Sequence, residues 1–357
     1  MNWLLLGIAI LAWRTLWGLG LSCLLLPPRM RRYALVFAPL AGAALQMVMV
    51  WVGAHLDLTG TVAYGWWSCL LPLGLLCEAG RRTGLKWIKD IPTRMLRCGG
   101  LVAVMVIALA VTILPASQFG EDPTTISLGG CDAGSYAAAA EALKHFAASD
   151  RSGFMGQVGP NLGMPEIGLH QWWMNFDHFG PAAVLAMTAT FLDRDVFKIL
   201  TLDAATYWAM LLPMVFWVAR QCFGFGSRSA LMVTLILAVS PIGQYVVHHG
   251  LLGQLMATGA SVLLWWASAG LLQRVSAGRW WSFVGWAVVG NVILVGSYAF
   301  FLPLAYAPLL MNAGLTLIWP KDRVGISNWS SRSAQTLVWA RGLGTSLLVT
   351  GCLFAPR

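Results

Sequence analysis

The chain alternates between long apolar runs and short polar segments. Most of these runs approach the roughly 20 residues that an α-helix needs to cross about 30 Å of hydrocarbon. We therefore expect an all-α fold, a polytopic membrane helical bundle of about 10–11 transmembrane helices, with one large outer loop carrying juxtamembrane helices. The runs lie at about 2–26, 33–54, 61–77, 98–115, 199–219, 229–248, 251–270, 281–297, 299–319 and 342–354.

The composition supports a membrane protein. Hydrophobic residues make up 58% of the chain and charged residues only 10%, where about 25% charged residues is usual for a soluble domain. The net charge of +9 does not indicate nucleic acid as a partner, because the basic residues lie in short segments between apolar runs. The 7 cysteines form no CxxC pair and are interpreted as small apolar residues rather than a disulfide or zinc framework.

The basic residues predict the orientation of the chain. Cytoplasmic loops of membrane proteins are enriched in Lys and Arg. The first apolar run is too long for a signal peptide and lacks a basic segment before it, so we expect a spanning helix that starts outside. The expected location is the plasma (inner) membrane of a cell envelope, with many passes. The two clusters expected to be cytoplasmic are Arg29, Arg31 and Arg32, and then Arg81, Arg82, Lys86, Lys89, Arg94 and Arg97.

The segment 116–178 differs from the rest of the chain. It holds seven of the 14 acidic residues, two of the 23 basic residues and three of the 6 histidines. Long loops inside compact proteins are usually functional, and this one is predicted to contain a helix at 132–148. The chain then divides into an N-terminal four-helix membrane segment (1–115), an extracytoplasmic loop with juxtamembrane helices (116–198) and C-terminal membrane helices (199–357).

The apolar stretch 179–192 leaves two topologies open. If it crosses the membrane, the eight later basic residues lie outside; if it lies along the outer interface, they lie inside. The positive-inside rule favours the second topology, and 14 residues is short for a span. The second topology also places the segment "YVVHHGLLGQL", 245–255, on the outer side with the acidic loop.

Asp132 is the candidate catalytic residue. Each helical residue advances the face by about 100°, so Asp132, Tyr136 and Leu143 share a mostly apolar face. Glu141 and Lys144 lie on the opposite face. This pattern predicts a helix on the membrane surface with Asp132 aimed into a cleft beside the spans. Helix capping by Asp132 is the competing interpretation, because Asp is a preferred N-cap residue.

Further candidates surround this segment. Adjacent histidines on a helix point about 100° apart, so His248 and His249 are interpreted as donors to a phosphate, or as polar caps, rather than as ligands of one metal. Arg14 lies inside the first apolar run, where a charge is a functional hypothesis by default, although its long side chain could snorkel to the interface. The candidate substrate-binding residues are Tyr136, His170, His178, Tyr245, His248, His249 and Gln254.

The order of several segments resembles the polytopic GT-C superfamily of glycosyltransferases, and in particular its bacterial members. An outer loop opens with an acid on a small-residue helix, "CDAGSYAAAAEALK". A short apolar helix, "FGPAAVLAMTATFLDRD", follows. Two further segments continue the match, "VARQCFGFGSR" and "SPIGQYVVHHGLLGQL". The resemblance covers roughly residues 98–270.

The resemblance implies a specific activity. GT-C enzymes take sugars from polyprenyl-phosphate-linked donors on the outer side of the membrane. An acid of the first large outer loop acts as base or helps to bind a metal, and Asp132 occupies that position. The acceptor would be a glycan, a lipid or a protein, and a divalent cation stays open as a cofactor. The acid pair common in the family is absent, because Ala133 follows Asp132.

The chemistry of such a reaction agrees with the sequence pattern. A polyprenyl tail needs an apolar groove between spans, a leaving phosphate needs donors, and an acceptor hydroxyl needs a base. No GxGxxG or P-loop motif indicates soluble nucleotide chemistry. Three alternatives stay open: a transporter or flippase of lipid-linked glycans, a ligase of such glycans, and a non-catalytic membrane assembly subunit.

Overall fold

A computed structural model describes residues 3–84, 93, 98–117, 132–149, 179–272, 277–318 and 329–354. Their regular structure is helical, and these ranges contain no strand, so the all-α fold is confirmed. Two 3-10 turns, Arg31–Tyr33 and Ala299–Phe301, connect longer elements. The helices are α1 (Trp3–Leu25), α2 (Ala34–His55), α3 (Thr61–Ser68), α4 (Leu70–Thr83), α5 (Gly99–Ser117), α6 (Asp132–His145), α7 (Phe179–Leu192), α8 (Val196–Gln221), α9 (Ser227–Ala238), α10 (Pro241–His248), α11 (Leu252–Leu272), α12 (Ala277–Tyr298), α13 (Leu302–Ile318) and α14 (Trp329–Leu353).

Each predicted apolar run coincides with one of these helices or with a consecutive pair. Within the described ranges, 6 stretches are long and apolar enough to cross a membrane, or 7 if the bent pair α9 and α10 forms one span. A polytopic membrane bundle is therefore confirmed. The number is lower than the 10–11 expected, because α5 and α7 are short and α3 is separate from α4. In addition, the stretch Arg279–Leu315 joins two predicted spans.

Helices α1 and α2 form the tightest pair in the bundle. A Cβ atom on Gly18 would lie 1.9 Å from the carbonyl oxygen of Ala38, and one on Gly42 would lie 2.0 Å from the carbonyl oxygen of Arg14. Small residues allow helix backbones to approach closely where no hydrophobic force separates protein from lipid. The pairing is antiparallel, so the chain returns to its starting end after α2.

The basic end of the bundle is defined by Arg32, Cys98 and Trp217. The Cys98 thiol donates to the carbonyl oxygen of Arg32 over 3.6 Å, and the ring of Tyr33 meets that of Trp217 with centroids 4.7 Å apart. Arg32 is the last residue of the first basic cluster, and Cys98 directly follows the second. The two basic clusters therefore lie at the same end of the bundle. We call the opposite end the loop end, and define it by residues 56–61, 132–149, 193–196 and 248–253.

Helix α7 lies inside the protein at the loop end. All its residues from Phe179 to Ala189 are buried. Near one terminus Phe179 packs against Trp51, with ring centroids 5.3 Å apart. Near the other, the hydroxyls of Thr190 and Thr61 share a 2.7 Å hydrogen bond. The helix therefore does not run from one end of the bundle to the other, and its all-round apolarity reflects burial by protein.

Helix α6 is held at the loop end by its charged face. The Lys144 ammonium donates to the carbonyl oxygen of Arg194 over 3.0 Å. Glu141 accepts from the backbone N–H of Val196 over 3.3 Å, which satisfies one of the free N–H groups at the start of α8. Lys144 is only 8% exposed. The prediction that this helix lies on the membrane surface is therefore wrong, because both faces of α6 pack against protein. The helix also ends at His145 rather than at 148.

Candidate functional site

The loop-end cluster forms where the first turn of α6 meets the turn between α10 and α11 and the end of α12. We define it by Asp132, Tyr136 and Tyr298, together with the turn at Gly250 and Gly253. The backbone N–H of Gly253 donates to the Tyr136 hydroxyl oxygen over 3.2 Å. A Cβ atom on Gly253 would lie 3.0 Å from the carbonyl oxygen of Ser297 and 3.3 Å from the Tyr298 ring. Three segments distant in sequence therefore converge here.

Asp132 is partly buried in the first turn of α6. A carboxylate is favourable there, since the N-terminal end of a helix carries partial positive charge. The charge of Asp132 therefore suits this end of α6, and the residue lies one turn before Tyr136. Its negative charge helps to raise the pKa of the Tyr136 hydroxyl, which lies one turn further along α6.

Tyr136 is the most enclosed member of the cluster, at 1% exposure. Burial raises the pKa of its hydroxyl well above the usual range. The hydrogen bond from Gly253 opposes this rise, while the nearby Asp132 and Tyr298 add to it. The phenol therefore stays neutral at physiological pH and keeps a proton that it can donate.

Gly250 brings the α10–α11 turn against the first turn of α6. Its φ is 66°, a left-handed conformation that side chains other than glycine rarely adopt. A Cβ atom at this position would lie 2.6 Å from the Cβ of Ala133. Only glycine fits, and the fit places the turn that carries His248 and His249 next to the residue that follows Asp132.

The predicted binding residues on this turn separate into two groups. The Nε2 atom of His248 and the Oε1 atom of Gln254 are buried and have no hydrogen-bond partner in the described part of the chain. The backbone of Thr112 interacts with the His248 ring. The His249 ring instead packs on Tyr245, with centroids 4.0 Å apart, and Tyr245 is 57% exposed. His248 and Gln254 therefore each carry a buried polar atom that no other described residue satisfies.

Two predicted binding residues, His170 and His178, lie outside the described residues. The described ranges contain no group of three or more His, Cys, Asp or Glu side chains that could hold a metal ion.

A pocket between α1, α3 and α7 does not adjoin Asp132. Its empty volume is about 180 Å³, with open solvent included, so the enclosed space is too small for a typical ligand. Its lining is largely apolar and aromatic, which suits an imperfection of packing rather than a substrate site. The lining residues are Trp13, Gly65, Trp66, Met187, Thr190 and Phe191.

Arg14 does not snorkel to the interface. Its guanidinium forms an ion pair with Asp203 of α8, and both side chains have 0% exposure. It also donates to the Thr206 hydroxyl and lies 4.3 Å from the ring centroid of Tyr207. Burial is tolerated because the opposite charge and the Thr206 hydroxyl replace part of the lost hydration.

Asp203 is the residue that sequence reasoning missed. It lies in the apolar run "VFKILTLDAATYWAMLLPMVFWVARQ", where it is the acidic residue of a span that is 94% buried. A carboxylate at such a position is expensive unless it is paired. The sequence therefore did indicate Asp203, because a buried Arg14 in α1 requires an acidic partner from another span.

The comparisons with known proteins add no relative to this picture. No protein-family profile, characterised protein or solved structure matches the chain.

Proposed function

We propose that the protein is a membrane glycosyltransferase. It would move a sugar from a polyprenyl-phosphate-linked donor to an extracytoplasmic glycan, lipid or protein acceptor. The observation that supports this most is the position of Asp132, partly buried at the loop end beside the neutral phenol of Tyr136 and the turn bearing His248. The resemblance to GT-C enzymes supports the same reaction.

Asp132 is the proposed base. It accepts the proton of the acceptor hydroxyl while the acceptor oxygen bonds to the anomeric carbon of the sugar. The bond from that carbon to the phosphate oxygen breaks, and its electron pair leaves with the polyprenyl phosphate. General base catalysis of this kind typically contributes about 10²–10⁴-fold to the rate.

Tyr136 and His248 are proposed to assist the leaving phosphate. The Tyr136 hydroxyl keeps its proton, since burial disfavours the phenolate. The Nε2 atom of His248 is buried without a partner, and a buried polar atom without a partner costs free energy. A phosphate oxygen bound at His248 would give this Nε2 atom a partner, and the Tyr136 hydroxyl is the second proposed donor.

The proposal is tested with the purified full chain in liposomes. The donor is a radiolabelled polyprenyl-phosphate sugar, and a panel of glycan, lipid and peptide acceptors is added from outside. We expect the label to leave the donor lipid and appear on an acceptor. Label that stays on the donor lipid with every acceptor contradicts the proposal.

A transporter of lipid-linked glycans is the second candidate. The pair of Arg14 and Asp203 favours it, because charged residues deep in a membrane bundle often mark transport pathways. The same liposomes separate the two candidates. A transporter makes an inner-leaflet donor accessible to an external sugar-oxidising reagent without transferring its sugar.

A further inference from the structure

Arg341 interrupts an exposed apolar stripe of α14. It falls inside the candidate span Ser333–Leu353 and is itself exposed. Leu337 and Leu348, four residues before it and seven after it, share its helical face and are 70% and 69% exposed. A charged side chain on such a face is costly in a membrane unless it reaches the headgroups or meets an opposite charge.

The packing of the next residue places Arg341 near the basic end of the bundle. Gly342 packs on Leu271, since an added Cβ would lie 3.1 Å from that side chain. Leu271 is one residue before the end of α11, and α11 begins at Leu252, at the loop end. The last turn of α11 therefore lies at the basic end, and Arg341 is near its level.

Arg279 lies beside the same contact. The Cβ added to Gly342 would also lie 3.5 Å from the Trp280 ring, and Trp280 follows Arg279 in the first turn of α12. Arg279 is exposed and is the first residue of the candidate span Arg279–Leu315. Its other neighbour on this turn, Trp281, is 60% exposed. Exposed Trp beside a basic residue at the start of a span is typical of the headgroup level of a membrane.

The described part of the chain offers these two arginines no acidic partner. The described residues of α11 to α14 include neither Asp nor Glu. Between residues 204 and 357 the whole sequence has nine basic residues and one acidic residue, Asp322. Glu78, the described acid at the basic end, already binds Arg81 and Arg82. The neutralising charge must therefore come from outside the described protein.

We propose that Arg279 and Arg341 form a binding site for the phosphate of an anionic phospholipid, between α12 and α14 at the basic end. A guanidinium is suited to this ligand, because its planar fork binds two phosphate oxygens at once. The acyl chains would lie over exposed apolar side chains such as Leu348. A soluble phosphate would lack that apolar contact, which favours a lipid as the occupant. The inference does not depend on the proposed glycosyl transfer.

The test measures lipid binding to the delipidated full chain in detergent by native mass spectrometry. Phosphatidylglycerol is the anionic probe. The comparison ligands are phosphatidylcholine, which is zwitterionic, and sn-glycerol 3-phosphate, which is soluble. The variant Arg279→Gln with Arg341→Gln removes the site. The matched control, Arg220→Gln with Arg228→Gln, removes two exposed arginines from the end of α8 and the start of α9.

We expect the wild type to bind phosphatidylglycerol about tenfold or more tightly than phosphatidylcholine. The site variant should lose about tenfold or more of that affinity, because two basic residues near the headgroup are lost, whereas the control should change less than about threefold. Equal losses in the two double variants would show a response to total charge alone and overturn the site. Equally tight binding of sn-glycerol 3-phosphate would overturn the lipid as occupant.

The two single variants keep the inference testable if the double variant does not fold. Arg279→Gln and Arg341→Gln should each weaken binding of phosphatidylglycerol about fivefold, as expected for one basic residue near a membrane surface. A loss in only one of them would show that the other arginine does not contact the lipid, and would overturn a site built from both.

Discussion

The Tyr136 hydroxyl oxygen accepts a hydrogen bond from the backbone N–H of Gly253 over 3.2 Å, and so joins α6 to the first turn of α11. The first N–H groups of a helix have no partner within it. Tyr136 therefore supplies from 117 residues away what a local cap usually supplies. The same contact keeps the α10–α11 turn beside Asp132.

Replacing Tyr136 by Phe should destabilise the protein by about 1–3 kcal/mol, because a buried N–H loses its partner. Thermal unfolding in detergent measures the loss. Tyr64→Phe is the control, since the described part of the chain offers its hydroxyl no hydrogen-bond partner, although the ring is largely buried. Equal losses in the two variants would show that the hydrogen bond to Gly253 contributes nothing.

Gly250→Ala should separate the α10–α11 turn from α6. The new methyl would strain a backbone with φ 66° and would lie 2.6 Å from the Cβ of Ala133. Gly224→Ala is the matched control, because its φ is 69° but no atom lies within 4 Å of the added Cβ.

We expect the control to lose about 1–2 kcal/mol of stability from backbone strain. Gly250→Ala should lose at least about 1 kcal/mol more, as overpacking usually costs. Unfolding of both variants is measured under one condition. If the two losses are the same, the contact between Gly250 and Ala133 is absent in the membrane.

Asp132→Asn should abolish glycosyl transfer while leaving stability unchanged. Asn is nearly isosteric with Asp and is as good an N-cap, whereas loss of a general base typically costs about 10²–10⁴-fold in rate. Asp132→Ala should be inactive and also about 1 kcal/mol less stable. Transfer is assayed at matched protein levels, and a fully active Asn variant would leave capping as the only role of Asp132.

The loop end should face outward from the cytoplasm. We expect Gly134→Cys, in a background without native cysteines, to react with a membrane-impermeant maleimide in intact cells. Gly134 is exposed on α6, with no atom within 4 Å of an added Cβ. Arg82→Cys, at an exposed position on α4, should react only after permeabilisation. The opposite pattern would show that the chain is inverted.

The apolar runs determined where the helices lie, because crossing hydrocarbon requires about 20 residues whose backbone bonds are satisfied within the segment. The apolar runs did not determine where the helix at residues 179–192 lies in the bundle. An apolar helix buried by protein and one that crosses lipid have the same composition. Contacts of Phe179 with Trp51 and of Thr190 with Thr61 decided it.

The sequence by itself also identified Asp132 and the His248 turn as polar features to be explained. Only the tertiary structure showed that Gly250 packs on Ala133, and that Tyr136 caps a helix beginning at Leu252. It also showed that Arg14 meets Asp203. Periodicity describes the faces of one helix, whereas these contacts depend on which faces of different helices meet, and that is decided by packing of the whole bundle.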